Sequence, residues 1–238
     1  MIRNLKALGL ALVAVFAMSA IAASGASATD ATFSWDESTV ELKATDDPSD
    51  PSQALSITGG AIGFTCDEVH LDFNVEGIND VSELTATGVT YTDSTKEADK
   101  CRGPFGTSPS VKMNGCSYNF KAGTTIGEEA DGHATGTVDI HCPEGKVIET
   151  SAPGCLYKWG SQTDVGDVTY RTVKTGEFEE VTVEFRIHAG MTHAPNTTSY
   201  SHSGFLCGTG SGSNGTYTGK VTVQGFDKNG NQTNVTIT

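Results

Sequence analysis

Apolar residues in this chain return at every second position and rarely at the spacing of a helix. Val181, Val183, Phe185 and Ile187 are the clearest case, with Thr182, Glu184 and Arg186 between them. A period of two puts one face in a core and the other in water, so each such run predicts a half-buried β-strand. The pattern repeats at Val40/Leu42, Leu55/Ile57, Leu84 to Tyr91, Cys116/Tyr118/Phe120 and Val138/Ile140/Cys142. It continues at Cys155/Tyr157/Trp159, Val168/Tyr170, Val221/Val223 and Val235/Ile237. Ile62, Phe64 and Cys66 share one phase, and Val69, Leu71, Phe73 and Val75 the other. That slip predicts a bulge or turn at residues 66–68. Asn114-Gly115, Pro143-Glu144-Gly145, Asn214-Gly215 and Lys228-Asn229-Gly230 supply turns. Residues 93–110 are polar and rich in Gly, Pro and Ser, and read as a long loop pinned by Cys101. No window holds helical periodicity over ten residues. The pattern predicts an all-β fold, an antiparallel, disulfide-stapled β-sandwich, with a barrel or two small packed β units as alternatives.

Composition agrees, with 32 threonines and 28 glycines in 238 residues. Residues 1–28 read as a signal peptide. Arg3 and Lys6 precede an apolar run from Leu8 to Met18, and Ala26-Ser27-Ala28 is a small-x-small cleavage site. That leaves 29–238 as a secreted β domain, with no membrane span expected after cleavage. The net charge of −14 becomes −16 once the leader's two bases are removed. Such a chain repels phosphate backbones and anionic lipid, so nucleic acid is excluded as a bulk partner. Gly88-Val89-Thr90-Tyr91 resembles Asp167-Val168-Thr169-Tyr170, and Asn-Gly recurs at 114 and 214. Two related halves split near residue 130 would explain the echo, as would the recurrence of turn–strand motifs in any Thr/Gly-rich β protein.

Export makes the cysteines legible. Six cysteines in an oxidising compartment predict three disulfides. If the strands at 116–120 and 138–142 are antiparallel neighbours, one register sets Tyr118 opposite Ile140 and Phe120 opposite Val138. The same register brings Cys116 to Cys142, within disulfide reach. Proximity adds Cys66–Cys101, which pins the long loop, and Cys155–Cys207 remains. The echo of two halves suggests a rival, Cys116–Cys155 with Cys142–Cys207.

Candidate chemistry is sparse. The chain has no Gly-x-Ser-x-Gly elbow, phosphate loop, His-Glu-x-x-His or dinucleotide fingerprint, and Ser211 sits in a glycine run of the wrong spacing. No cofactor is expected. Asp227, Asn229 and Asn231 alternate as calcium ligands do, but without a Glu at the loop's twelfth position. His188, His193 and His202 fall within 15 residues and are candidates for a transition metal. Asp139/His141 and His70/Asp72 are Asp–His pairs on strand faces that alternation makes solvated. Asn196, Asn214, Asn231 and Asn234 begin Asn-x-Ser/Thr, which implies exposure rather than modification.

Asn114-Gly115-Cys116-Ser117-Tyr118-Asn119-Phe120 resembles, in order with three later stretches, a group of uncharacterised secreted proteins of actinobacterial type. The later stretches are Val138-Asp139-Ile140-His141-Cys142-Pro143-Glu144-Gly145-Lys146-x-Ile148, Cys155, and Asn214-Gly215-Thr216-Tyr217-Thr218-Gly219. The resemblance implies a bacterial exported protein and carries no activity. The expected function is a non-catalytic extracellular or surface binding or structural protein of unknown ligand. One alternative is a secreted glycan or cell-wall hydrolase using Trp35, Trp159, Tyr157 and the Glu128/Glu129 carboxylates. The other is a calcium- or metal-dependent adhesin.

Overall fold

The computed structural model describes residues 30–46, 53–57, 62–93, 98–126, 132–188, 200–212 and 215–238. The expected leader and Glu128/Glu129 lie outside them. The described strands run in chain order as β1 (Phe33–Trp35), β2 (Thr39–Asp46), β3 (Gln53–Ile57), β4 (Ile62–Cys66), β5 (Glu68–Asn74), β6 (Glu83–Ala86) and β7 (Thr90–Thr92). Then come β8 (Ser110–Lys112), β9 (Ser117–Thr125), β10 (His133–His141), β11 (Ile148–Ala152), β12 (Cys155–Trp159), β13 (Gln162–Thr175) and β14 (Phe178–His188). The last are β15 (Tyr200–Gly204), β16 (Gly208–Gly212), β17 (Gly215–Asp227), β18 (Gln232–Thr233) and β19 (Val235–Ile237). Among the described residues the only helical piece is a single 3-10 turn at Pro104–Gly106. No described helix is long and apolar enough to cross a membrane, which says nothing of crossing by strands.

Nine strands form one long antiparallel sheet in the order β6-β9-β10-β13-β14-β17-β2-β5-β7, with β3, β4 and β18 attached to its flank. The sheet curls into a half-barrel. Residues 83–92 touch both of its ends, because β6 pairs with β9 while β7 pairs with β5. Between them, Thr87 N donates to Asp72 O and Asp72 N to Gly88 O. The sequence reads Leu84 to Tyr91 as one strand. It breaks because the segment changes partner midway.

The concave face is apolar. Leu42, Leu71, Phe73, Phe120, Val138, Val168, Tyr170, Val181, Val183, Val221 and Val223 are all buried there, at the alternate positions the pattern predicts. The antiparallel ribbon β1/β19 covers one opening, where Phe33 meets the Tyr170 ring edge-on at 4.9 Å. A second sheet, β16-β15-β12-β11-β8, covers the other. The expected all-β, antiparallel, disulfide-stapled architecture therefore forms, as a curled sheet with a smaller sheet packed on its end. Hydrogen-bonded neighbours β9 and β10 span residue 130, so the long sheet is continuous across that position.

The Cys116–Cys142 bridge forms on the register that predicts it. Tyr118 faces Ile140 and Phe120 faces Val138, with the cysteine Cα atoms 4.1 Å apart. Cys66–Cys101 and Cys155–Cys207 complete the set. The phase slip is a bend at Asp67 between β4 and β5. Two positions depart from simple alternation. The β2/β17 ladder slips between Thr39 and Glu41, so Val40 is only half-buried, while Thr39 turns inward and bonds Thr233 through its hydroxyl at 2.7 Å. The β9/β10 ladder slips between Ala134 and Gly136. A Cβ at Gly136 would lie 1.9 Å from Lys121 O and 2.7 Å from the Tyr170 ring. The side chains of Leu55, Ile57, Ile62 and Ile187 lie outside the described set.

Candidate functional site

Among the described residues the sequence-predicted site residues do not converge. Asp227 closes its own turn, accepting from the backbone and side-chain amides of Asn229 and Asn231 at 2.8–3.4 Å. These bonds, those from Asn231 foremost, hold its carboxyl at about 2 instead of 3.8. Both asparagines turn Nδ2 rather than Oδ1 toward Asp227, and these bonds cap the hairpin turn. Among the described residues no group of three or more His, Cys, Asp or Glu is placed to hold a metal. His193 lies outside the described residues, and of His188 only the backbone is described, at the end of β14. His202 is half-buried between the Tyr157 and Tyr200 rings, each 6.1 Å away, and its Nδ1 has no partner among the described residues.

Asp139 is not solvated, as alternation predicts, but buried. Its carboxylate takes Lys121 Nζ at 2.6 Å and accepts from Asp164 N at 2.7 Å. Lys121 reaches it from the neighbouring strand β9 and keeps about a third of its own side chain exposed. His70 lies 3.4 Å from Glu68 rather than against Asp72. Trp35, Trp159 and Tyr157 are buried, so they offer no exposed platform for a sugar ring. Asn231 and Asn234 sit at the β18 turn. Asn234 donates to Asp36 and accepts from Glu179 N.

Two features missed by sequence reasoning stand out. The first is a cavity of about 50 Å³ between the half-barrel and the small sheet. Phe64, Tyr91, Tyr118, Ile140 and Tyr217 come from the long sheet, and Val111, Ile148, Thr150 and Trp159 from the small one. The Tyr91 and Tyr118 hydroxyls bond at 2.9 Å, and Tyr217 joins them through Tyr91. Thr150 alternates with Ile148 on the inward face of β11. It is 1% exposed, and its Oγ1 has no hydrogen-bond partner among the described residues. An unsatisfied buried hydroxyl costs about 1–3 kcal/mol.

Burial raises the pKa of all six tyrosines above 10. A phenol whose folded pKa exceeds its unfolded one stabilises the fold fully below the unfolded value, and that stability is lost as pH rises beyond it. Phenolate absorbance is expected to stay flat to pH 10. Above that it should appear in one step, together with loss of the β circular-dichroism signal. Separate titration of any tyrosine near 10 in the folded protein would contradict this.

The second feature is an edge of the small sheet. Register aligns Ser110, Ser151, Leu156, Ser203 and Thr209 in one row. Just beyond that row lie three turns: residues 103–107, Pro153-Gly154, and Phe205–Cys207. They carry Phe105, which is fully exposed, Phe205 at 87% and Leu206 at 64%. At roughly 4.8 Å per strand the two tips stand about 20 Å apart. A disulfide sits at the base of each, Cys66–Cys101 under the first and Cys155–Cys207 under the second. Leu206 N donates to Gly154 O. At Gly154 (φ +71°) a Cβ would strike the Phe205 and Leu206 side chains.

Comparison with protein-family models, with curated proteins and with solved structures finds no match.

Proposed function

We propose that this is an exported, non-catalytic binding protein of the extracellular space or cell surface. In this reading it belongs to the actinobacterial-type secreted group that its cysteine stretches resemble, and it seats on an uncharged lipid surface through the Phe105, Phe205 and Leu206 edge. The observation that carries the reading is that edge. Scattered apolar residues on a surface are ordinary, but these three stand on turn tips along one side, each tip braced by a disulfide. Bracing removes the ordering cost that a loose loop would meet on binding. Three disulfides suit an oxidising compartment.

The occupant follows from area and charge. Three side chains expose far less than the roughly 800 Å² per partner of a stable dimer, whereas separate convex tips can enter the interfacial layer of a bilayer. The acidic chain disfavours anionic headgroups.

Burying these three side chains is worth about 5–6 kcal/mol, which corresponds to a dissociation constant of about 0.1 mM in lipid. The test is co-sedimentation with phosphatidylcholine vesicles. The protein is expected to bind reversibly with little dependence on salt. The double substitution F205S/L206S should lower binding roughly 100-fold while leaving the unfolding transition in place. Failure of the natural chain to bind at millimolar lipid would overturn the reading. So would a dimer that the double variant abolishes, since it would assign the edge to a second copy.

A further inference from the structure

We infer that the tyrosine-walled cavity is a binding site for a small neutral molecule, apolar over most of its surface and carrying one hydroxyl or carbonyl oxygen. The inference is independent of the lipid-facing edge, which lies on the outer rim of the small sheet. Three properties of the wall define the ligand. Among the described residues no ionised side chain lines the cavity, so a charged ligand would lose its hydration without a partner there. Aromatic and aliphatic groups make up most of the surface, with Tyr91, Tyr118 and Trp159 presenting large apolar faces. Thr150 stands among them as a buried hydroxyl with no partner among the described residues, able to donate or accept one hydrogen bond.

Size and satisfaction then choose between water and an organic occupant. By volume the cavity has room for about four waters. Each buried water needs about two to four polar partners, and four would ask for more than this wall provides. A single oxygen placed at Thr150, with an apolar body against Ile140, Ile148 and Trp159, asks for one.

Phenol is a suitable probe and toluene its control, the two differing by the oxygen. Titration of each is followed by the methyl NMR signals of Ile140, Ile148 and Val111 and by the melting temperature. Phenol is expected to shift these signals and raise the melting temperature with concentration. Toluene should bind about ten-fold more weakly. T150V, which keeps the shape and removes the hydroxyl, should weaken phenol about ten-fold and leave toluene unchanged, while T150S should keep phenol binding. Equal affinity for both probes, or phenol binding unaltered by T150V, would overturn the inference. So would an absence of methyl shifts at millimolar phenol with only ordered water found in the cavity. None of these results bears on vesicle binding.

Discussion

Replacing Cys116 and Cys142 together by alanine is expected to destabilise the protein by about 3.5 kcal/mol. The bridge closes a step of 26 residues, and the chain-entropy relation for a loop of that length gives this figure. In a chain of this size it corresponds to a fall in melting temperature of roughly 7–14 °C, read by scanning calorimetry. The loss should be local at first. Cys116 and Cys142 pin the end of the β9/β10 ladder nearest the small sheet, whereas β14 is held by two full-length neighbours and has no cysteine. Hydrogen exchange in the variant should accelerate at Ser117–Tyr118 and Ile140–His141 before it accelerates at Val181–Phe185. Equal acceleration in both places would show that the bridge stabilises the whole sheet uniformly.

Gly136→Ala should cost about 3 kcal/mol, at the upper end of the overpacking range. Its methyl would overlap Lys121 O, a backbone atom, and press on the fully buried Tyr170 ring. Neither neighbour can swing aside, because Tyr170 is packed against Phe33 and its hydroxyl donates to Lys121 O at 3.1 Å. The β9/β10 slip places the glycine there, and glycine in a strand interior commonly marks such a close approach. Denaturant unfolding measures the cost. A change below about 1 kcal/mol would mean that the β9 backbone yields. Gly123, whose added Cβ would meet its nearest atom at 3.1 Å, is the internal control and should tolerate alanine better.

Much of the fold is legible in sequence because burial on one face of a strand writes a period of two into the chain. The same rule made the Cys116–Cys142 register readable, since side chains and sulfurs had to agree on one alignment. It failed where the ladder itself slips. Nothing in Val40 announces that a bulge will turn Thr39 inward. The break after Ala86 reflects a change of partner strand, which is long-range information. Asp139 reads as exposed because alternation assigns faces and is blind to the ion pair with Lys121 and the bond from Asp164 N that hold it inside.

The candidate sites were less legible, for a different reason. The cavity takes its wall from strands as far apart as β4 and β17, and each of its residues reads as ordinary core. Thr150 is distinguished only by the hydrogen bond it lacks. The apolar tip did leave a local signal, Gly204-Phe205-Leu206-Cys207-Gly208, an apolar pair between glycines beside a cysteine. Alternation searches for strands pass over it because it lies in a turn.

The ribbon that caps one opening joins Thr32 to Thr238 through their hydroxyls, 206 positions apart, and β2 pairs with β17 between Thr39↔Asp227 and Asp46↔Val221, also across most of the chain. An export channel that delivers this chain from its N-terminus therefore releases β2 long before β17 emerges. Until then β2 carries an edge of unpaired backbone groups, of the kind that invites pairing with another chain. Closure of so long a loop also places the final docking late and makes folding slow. Folding yield should therefore depend on what shields residues 39–46 until the rest of the chain has emerged, and dilution or a holding chaperone should raise it more than slower cooling does.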